Sequence, residues 1–313
     1  MDEIRIPNQA TYSPIALTDV AIAAPIVSRL LLGATLPGRL IQAAALGAYA
    51  GSALTDWLAR QGVRRIDFLQ EFGADVHRLG VMPREERERD VATLAALLNE
   101  HYDETRVPRE ELVPRIDRLL TDYIAGITGQ RVETSSEVRS FGLAKLVFPF
   151  ALGAYDVFSG DIAIFQPAGL FEPHVIAHEF CHRKGYWKEL HAQALAYLAL
   201  TASAESTLVQ SARCERLLRN LRVLSGDDPA EYQRLAGQIG LRPELQKEFL
   251  GVRPQLSALE RSVESVLKTL YDERMKITGQ NGISDYDLGF TNFLYSVETN
   301  PARHRVPPAG RLR

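Results

Sequence analysis

The stretch HVIAHEFCHRKGYWKELHAQALAYLAL, residues 174 to 200, constrains the fold more than any other. Val175, Ile176, Ala177, Phe180 and Cys181 are too apolar for a surface helix, yet His178, Glu179 and His182 sit among them. A helix hydrophobic nearly all round is a core helix, and polar groups carried into a core need partners there. Pro173 suits the first turn of such a helix. Gly185 can end it in the left-handed conformation, so that a second helix starting near Tyr186 turns back over the first. The stretch therefore predicts two packed, buried helices with a cluster of polar groups between them.

In a helix, residues i and i+4 lie one above the other, so His178 and His182 can aim two imidazole nitrogens at one point about 2 Å away, as Zn2+ requires. Glu179 is offset by one residue, which keeps it out of the ligand set while its carboxylate can reach a water on the metal. A catalytic zinc takes a third protein ligand and keeps an open position. The third ligand expected is His191, with eight residues between it and His182. Glu189, two residues earlier, and Glu205 leave a nearby glutamate as the alternative donor. His174, one turn before His178, reads as an ordinary helix-start histidine.

Around this pair the pattern is mainly helical, α+β. Residues 56 to 79 and 84 to 102 read as amphipathic helices, and Pro108 opens another that ends near Gly126 or Gly129. After residue 130 aromatic and β-branched residues appear, with a turn signal at Ser159-Gly160-Asp161, so 153 to 158 and 161 to 166 are expected to pair as a hairpin. Residues 206 to 225 and 255 to 277 read as helices again. Three regions follow: an all-helical N-terminal region at 1–130, a catalytic region at 131–300 and a basic, proline-bearing flexible tail at 301–313.

Composition narrows the classes of partner. A chain of 313 residues with 46% hydrophobic and 24% charged residues can bury a large core. Its net charge of -3 supplies no field for gathering nucleic acid, and none is expected as a partner. Two cysteines, Cys181 and Cys214, fit a reducing compartment rather than a disulfide framework. The first residues, MDEIRIPNQATYSP, lack the basic start and apolar run of a cleavable signal peptide. Residues 14 to 55 are mostly apolar but are interrupted by Asp19, Arg29 and Arg39 and contain Pro25 and Pro37. They read as buried or interfacial helices of a soluble or membrane-associated peripheral protein, with insertion into a membrane as the alternative. The expected location is the cytoplasm or the inner membrane surface.

The run PFALGAYDVFSGDIAIFQPAGLFEPHVIAHEFCHRKGYWKELHAQALAYLAL, with YDERMKITGQNGISDY further on, resembles the DUF3810 family of bacterial zincin-like metallopeptidases. That family's H-E-x-x-H, the glycine three residues on, the acidic pair, the E-A-N step and the Y-L-A run correspond to His178 through His182, Gly185, Glu189, His191-Ala192-Gln193 and Tyr197-Leu198-Ala199. Its K-x-x-G-Q segment corresponds to Lys276, Gly279 and Gln280. Where the family has the glutamate expected as third ligand, this chain has His191. The resemblance implies a zincin-like catalytic domain that cuts peptides or proteins, with N-terminal membrane helices in most members.

The chemistry expected is metal-assisted hydrolysis. Zinc held by His178, His182 and His191 would lower the pKa of a bound water toward about 7, and Glu179 would take the proton and return it to the leaving amine. Tyr286 is the candidate partner for the oxyanion. By analogy with zincins, the strand Asp161 to Phe165 would lie beside the active helix and accept an extended peptide. A zinc-dependent hydrolase acting on other substrates, and an inactive scaffold at a membrane surface, are the alternatives.

Overall fold

A computed structural model describes residues 2–6, 17–134, 137–140, 152–156, 158–165, 167–226, 228–252, 265, 268–269, 271–273 and 275–300. Most of the helix expected at 255 to 277, and the tail at 301–313, lie outside them.

Strand β1 (Asp2–Ile6) is followed by a helical hairpin, α1 (Leu17–Leu32) and α2 (Leu36–Ala59). Then come α3 (Phe68–Phe72), α4 (Arg84–Glu100), α5 (Arg109–Thr128) and β2 (Gln130–Thr134). Strands β3 (Val138–Ser140), β4 (Gly153–Tyr155) and β5 (Ile162–Ile164) precede the buried helices α6 (Glu172–Arg183) and α7 (Glu189–Thr201). After them lie α8 (Ser206–Ser225), α9 (Pro229–Gln238), α10 (Pro243–Gly251) and α11 (Leu288–Thr299). The mainly helical α+β class is as expected.

Local chemistry explains most boundaries. Helix α5 begins directly after Pro108, carries Glu110 and Glu111 in its first turn, and stops at Gly129, whose φ of 69° lets its N–H reach the Ala125 carbonyl. Its stripe Leu112, Ile116, Leu120 and Ile124 recurs every four residues and is buried. Helices α6 and α7 are enclosed almost completely, α8 lies across both, and Ile176, Phe180 and Leu195 are fully buried. Each such side chain contributes about 1.5–3 kcal/mol of transfer free energy.

Two expectations change. The N-terminal region is not all helical, because β1 pairs in parallel with β2, Ile4 opposite Val132. The helix expected over 56 to 79 is also broken. Its first turn belongs to α2, which Arg60 ends, and the short α3 starts afresh where the Asp67 side chain accepts the Gln70 N–H. Gly73 then ends α3 at φ 70°, and the Asn300 side chain donates to its carbonyl.

The expected hairpin is present as β4 and β5, antiparallel, with Ala154 opposite Ala163. However, the sheet order is β3-β5-β4. The strand at 161 to 165 is therefore flanked on both sides and cannot offer an edge; the strand at the sheet's edge beside α6 is β4.

The segment 14 to 55 forms α1 and α2, and their large apolar side chains, among them Leu30, Leu31, Leu36, Leu40 and Leu46, are exposed. Among the described residues, no helix is long and apolar enough to cross a membrane.

Candidate metal centre

Helix α6 carries His178 and His182 one turn apart, and the turn after it brings in the third group. Gly185 adopts φ 100°, and Tyr186 donates its N–H to the Cys181 carbonyl at 3.0 Å. The Tyr186 carbonyl in turn accepts from Nδ1 of His182 at 2.8 Å. That bond puts the proton on Nδ1 and leaves the Nε2 lone pair facing the site. The turn that reverses the chain thus also orients the His182 imidazole.

The third group is Glu189, the first residue of α7. Its Oε2 lies 3.1 Å from Nε2 of His178 and 3.2 Å from Nε2 of His182, and the two nitrogens are 3.1 Å apart. All three side chains are buried, and they form the one group suited to a metal ion among the described residues. Tetrahedral ligands at about 2.0–2.1 Å from zinc stand roughly 3.3 Å from one another. The triangle is close to one face of that tetrahedron. Two imidazole nitrogens and a carboxylate oxygen so near each other require a positive charge between them, either a proton or a cation. In the metal-free state burial disfavours the charged imidazole, but the Glu189 carboxylate prevails and pushes His182 up to about 9. Burial would raise Glu189, yet His182 and the two imidazole hydrogen bonds hold it well below the usual carboxylate range. The buried cluster can bind a metal ion.

Groups from the C-terminal region hold Glu189 in place. Its N–H donates to Oε1 of Gln280 at 2.8 Å, an N-terminal cap for α7, and the Tyr271 hydroxyl donates to its Oε1 at 2.7 Å. Tyr271 and Tyr286 hydroxyls are 3.2 Å apart, and the Tyr286 ring stacks on His178 with centroids 6.0 Å apart. Burial, then the Glu189 charge, holds the Tyr286 hydroxyl well above its ordinary value. The segment bearing these groups is folded back on itself, since Asp272 accepts the Ile283 N–H at 2.7 Å and pairs with Lys276 at 2.6 Å.

Glu179 stands beside the triangle and outside it. Burial raises its pKa, and His178 and His182 oppose that rise. A carboxylate that is buried, poorly solvated and next to two imidazoles is poised to hold a proton.

His191 is not in the triangle. It lies two residues beyond Glu189, about 200° around the helix, and its ring stacks on Phe68 with centroids 4.2 Å apart. Burial and the nearby basic side chains of Lys188, His77 and Arg65 push it down to about 4. Glu189 takes the position expected for His191. His174 is buried against Phe290, pushed down to about 4 by burial, and stands outside the ligand group. The sequence reading brought together His178, Glu179, His182 and Tyr286, left Glu189 as an alternative, and missed Tyr271 and the capping role of Gln280. Gln280 carried a signal in its K-x-x-G-Q segment, and Tyr271 opens the YDERMKITGQNGISDY run that carries the same resemblance, with no role read for it there.

No curated protein matches the chain, and no solved structure matches it. Residues 148–295, which contain the whole triangle and both tyrosines, match the family described as "Protein of unknown function (DUF3810)", in support of the resemblance drawn from the motifs.

Proposed function

We propose that the chain is a zinc-dependent, zincin-like metallopeptidase whose ligands are His178, His182 and Glu189. The observation that carries this reading is the near-equilateral triangle of two Nε2 atoms and one Oε2, with the Glu179 carboxylate beside it. A divalent cation held there supplies Lewis acidity, which makes water a nucleophile at neutral pH. The Glu179 carboxylate takes a proton from the attacking water and passes it to the leaving amine. The Tyr286 hydroxyl is the donor for the oxyanion, while the Tyr271 hydroxyl stays on Glu189 and holds that ligand in place. An extended peptide pairs with β4, the edge strand beside α6.

The test is metal analysis of the purified chain together with digestion of a peptide library by the wild type and by Glu179→Gln. One equivalent of zinc, with cleavage by the wild type alone, supports the reading. Zinc with turnover of small esters or amides but no peptide moves it to another hydrolase. Zinc needed only for folding moves it to a scaffold.

A second reading concerns location. The exposed leucines of α1 and α2, interrupted by the exposed Arg29 and Arg39, favour a lipid surface at the cytoplasmic side of a membrane as their cover. Cosedimentation with anionic vesicles tests it, and binding that survives Leu30→Gln with Leu31→Gln would rule it out.

A further inference from the structure

A second buried polar network runs from α7 through α8 to the segment that carries Tyr286. The Gln193 side chain of α7 donates to Oε1 of Glu215 in α8 at 2.6 Å. The same oxygen accepts from Nε of Arg219, one turn further along α8, at 2.6 Å. Arg219 then donates through Nη1 to Oδ1 of Asp287 at 3.0 Å, and Asp287 directly follows Tyr286 in the chain. Its guanidinium carbon also lies over the Tyr286 ring, 5.7 Å from the centroid. The side chains of Arg219 and Glu215 are only 12% and 2% exposed.

Taking such a network out of water is costly, and apolar residues of similar volume would hold α8 against its neighbours as well. Its geometry has another use. The ring of Tyr286 stacks on His178, and its hydroxyl stands 3.2 Å from that of Tyr271. Because the Tyr271 hydroxyl donates to Glu189, the bond between the two tyrosines is one that Tyr286 donates. Tyr286 gives that bond up when it turns to an oxyanion, and a single aromatic contact then holds the ring only weakly. Arg219 supplies the missing hold from two directions: it grips the neighbouring residue, Asp287, and its cation lies over the ring. A planar fork can bond Glu215 and Asp287 together and still lie against an aromatic face, which a lysine ammonium on a flexible stem cannot.

Resting on the hydrolase reading, we propose that Arg219 is a positioning residue for Tyr286. Anchored by Glu215, it holds Asp287 and the Tyr286 ring, so that the ring stays on His178 while the hydroxyl donates to the oxyanion. Gln193 ties that anchor to α7, the helix that Glu189 begins.

The test uses the full zinc-loaded chain and the variants Arg219→Lys, Tyr286→Phe and the two combined. Tyr286→Phe is expected to lower kcat about 10²–10³-fold, as loss of an oxyanion donor does. Arg219→Lys should lower kcat about tenfold to a hundredfold with KM and zinc content unchanged, as misplacement of a reacting group does. The combined variant should match Tyr286→Phe within about twofold, because Arg219 acts only through that ring. Amide exchange in a peptide spanning 283–289 should quicken at least about tenfold in Arg219→Lys while exchange in α6 stays as it was. Losses that multiply in the combined variant overturn the proposal, as does unchanged exchange at 283–289. Faster exchange through α6 with loss of zinc also overturns it, since that marks a general structural role. If Arg219→Lys does not fold, Asp287→Ala, which removes the outer end of the grip, is judged by the same measurements. If the wild type cleaves no peptide, the hydrolase reading fails while amide exchange still decides whether Arg219 holds the Tyr286 segment.

Discussion

Helices α2 and α7 are both rich in alanine and leucine, and they meet opposite fates. In α7 nearly every residue is buried, whereas in α2 only Gly38 and Asp56 are, and Leu36, Leu40, Leu46 and Leu54 face outward. Apolar content alone does not decide which helix goes inside. Helix α7 carries polar groups whose partners exist only in the core: Glu189 with the two histidines and Gln193 with Glu215. Helix α2 has one such anchor, Asp56, at its end. The buried helix is tied at several points along its length, and the exposed one is tied at its tip.

The contrast can be broken most severely at the triangle. Glu189→Ala should weaken zinc binding by about 3–5 kcal/mol, a third of the binding energy typical of such sites, while His191→Ala should leave it within a few fold; calorimetric titration of both variants checks this. Glu179→Gln should keep the metal and lose about 10²–10⁴ in kcat, read from cleavage rates at saturating peptide. Within the buried helix, Leu195→Ala should destabilise by about 2–5 kcal/mol by chemical denaturation. Leu40→Ser on the exposed helix should shift stability by less than about 0.5 kcal/mol in the absence of a partner, and a larger loss would mean that the hairpin face is already covered.

Metal affinity should also depend on pH. With His182 pushed up to about 9, zinc must displace its proton at neutral pH. Apparent zinc affinity should therefore rise about tenfold per pH unit toward 9 and then level off; calorimetry in two buffers of different ionisation enthalpy should show about one proton released near pH 7.5. The raised His182 also stabilises the metal-free fold fully below its ordinary 6.5, and that contribution should fade as pH rises through about 9. A pH-independent zinc affinity would show that the imidazole is not protonated in the free site.

Much of this was legible because local rules agreed with tertiary demands. Pro108, Gly129, Pro173 and Gly185 mark real boundaries, and the spacing of His178 and His182 places them on one face. The third member of the cluster was not legible from spacing, since Glu189 and His191 differ only in which way the start of α7 faces. That phase is fixed by the cap from Gln280 and the bond from Tyr271, more than eighty residues away in sequence. The break after Arg60 was hidden for a similar reason: its cause is a partner on Arg183, which periodicity cannot register. The choice of edge strand likewise depended on β3 pairing with β5, a parallel contact with no turn to announce it.

One side chain within the ligand helix offers a way to watch these helices part. Cys181 sits between Glu179 and His182 with no exposure, and burial pushes its thiol well above the ordinary range. Alkylating reagents attack the thiolate, so in the closed protein this sulfur is both shielded and unreactive. Its labelling rate is then a clock for the moments when α6 lifts from α7, and metal loading should slow that clock.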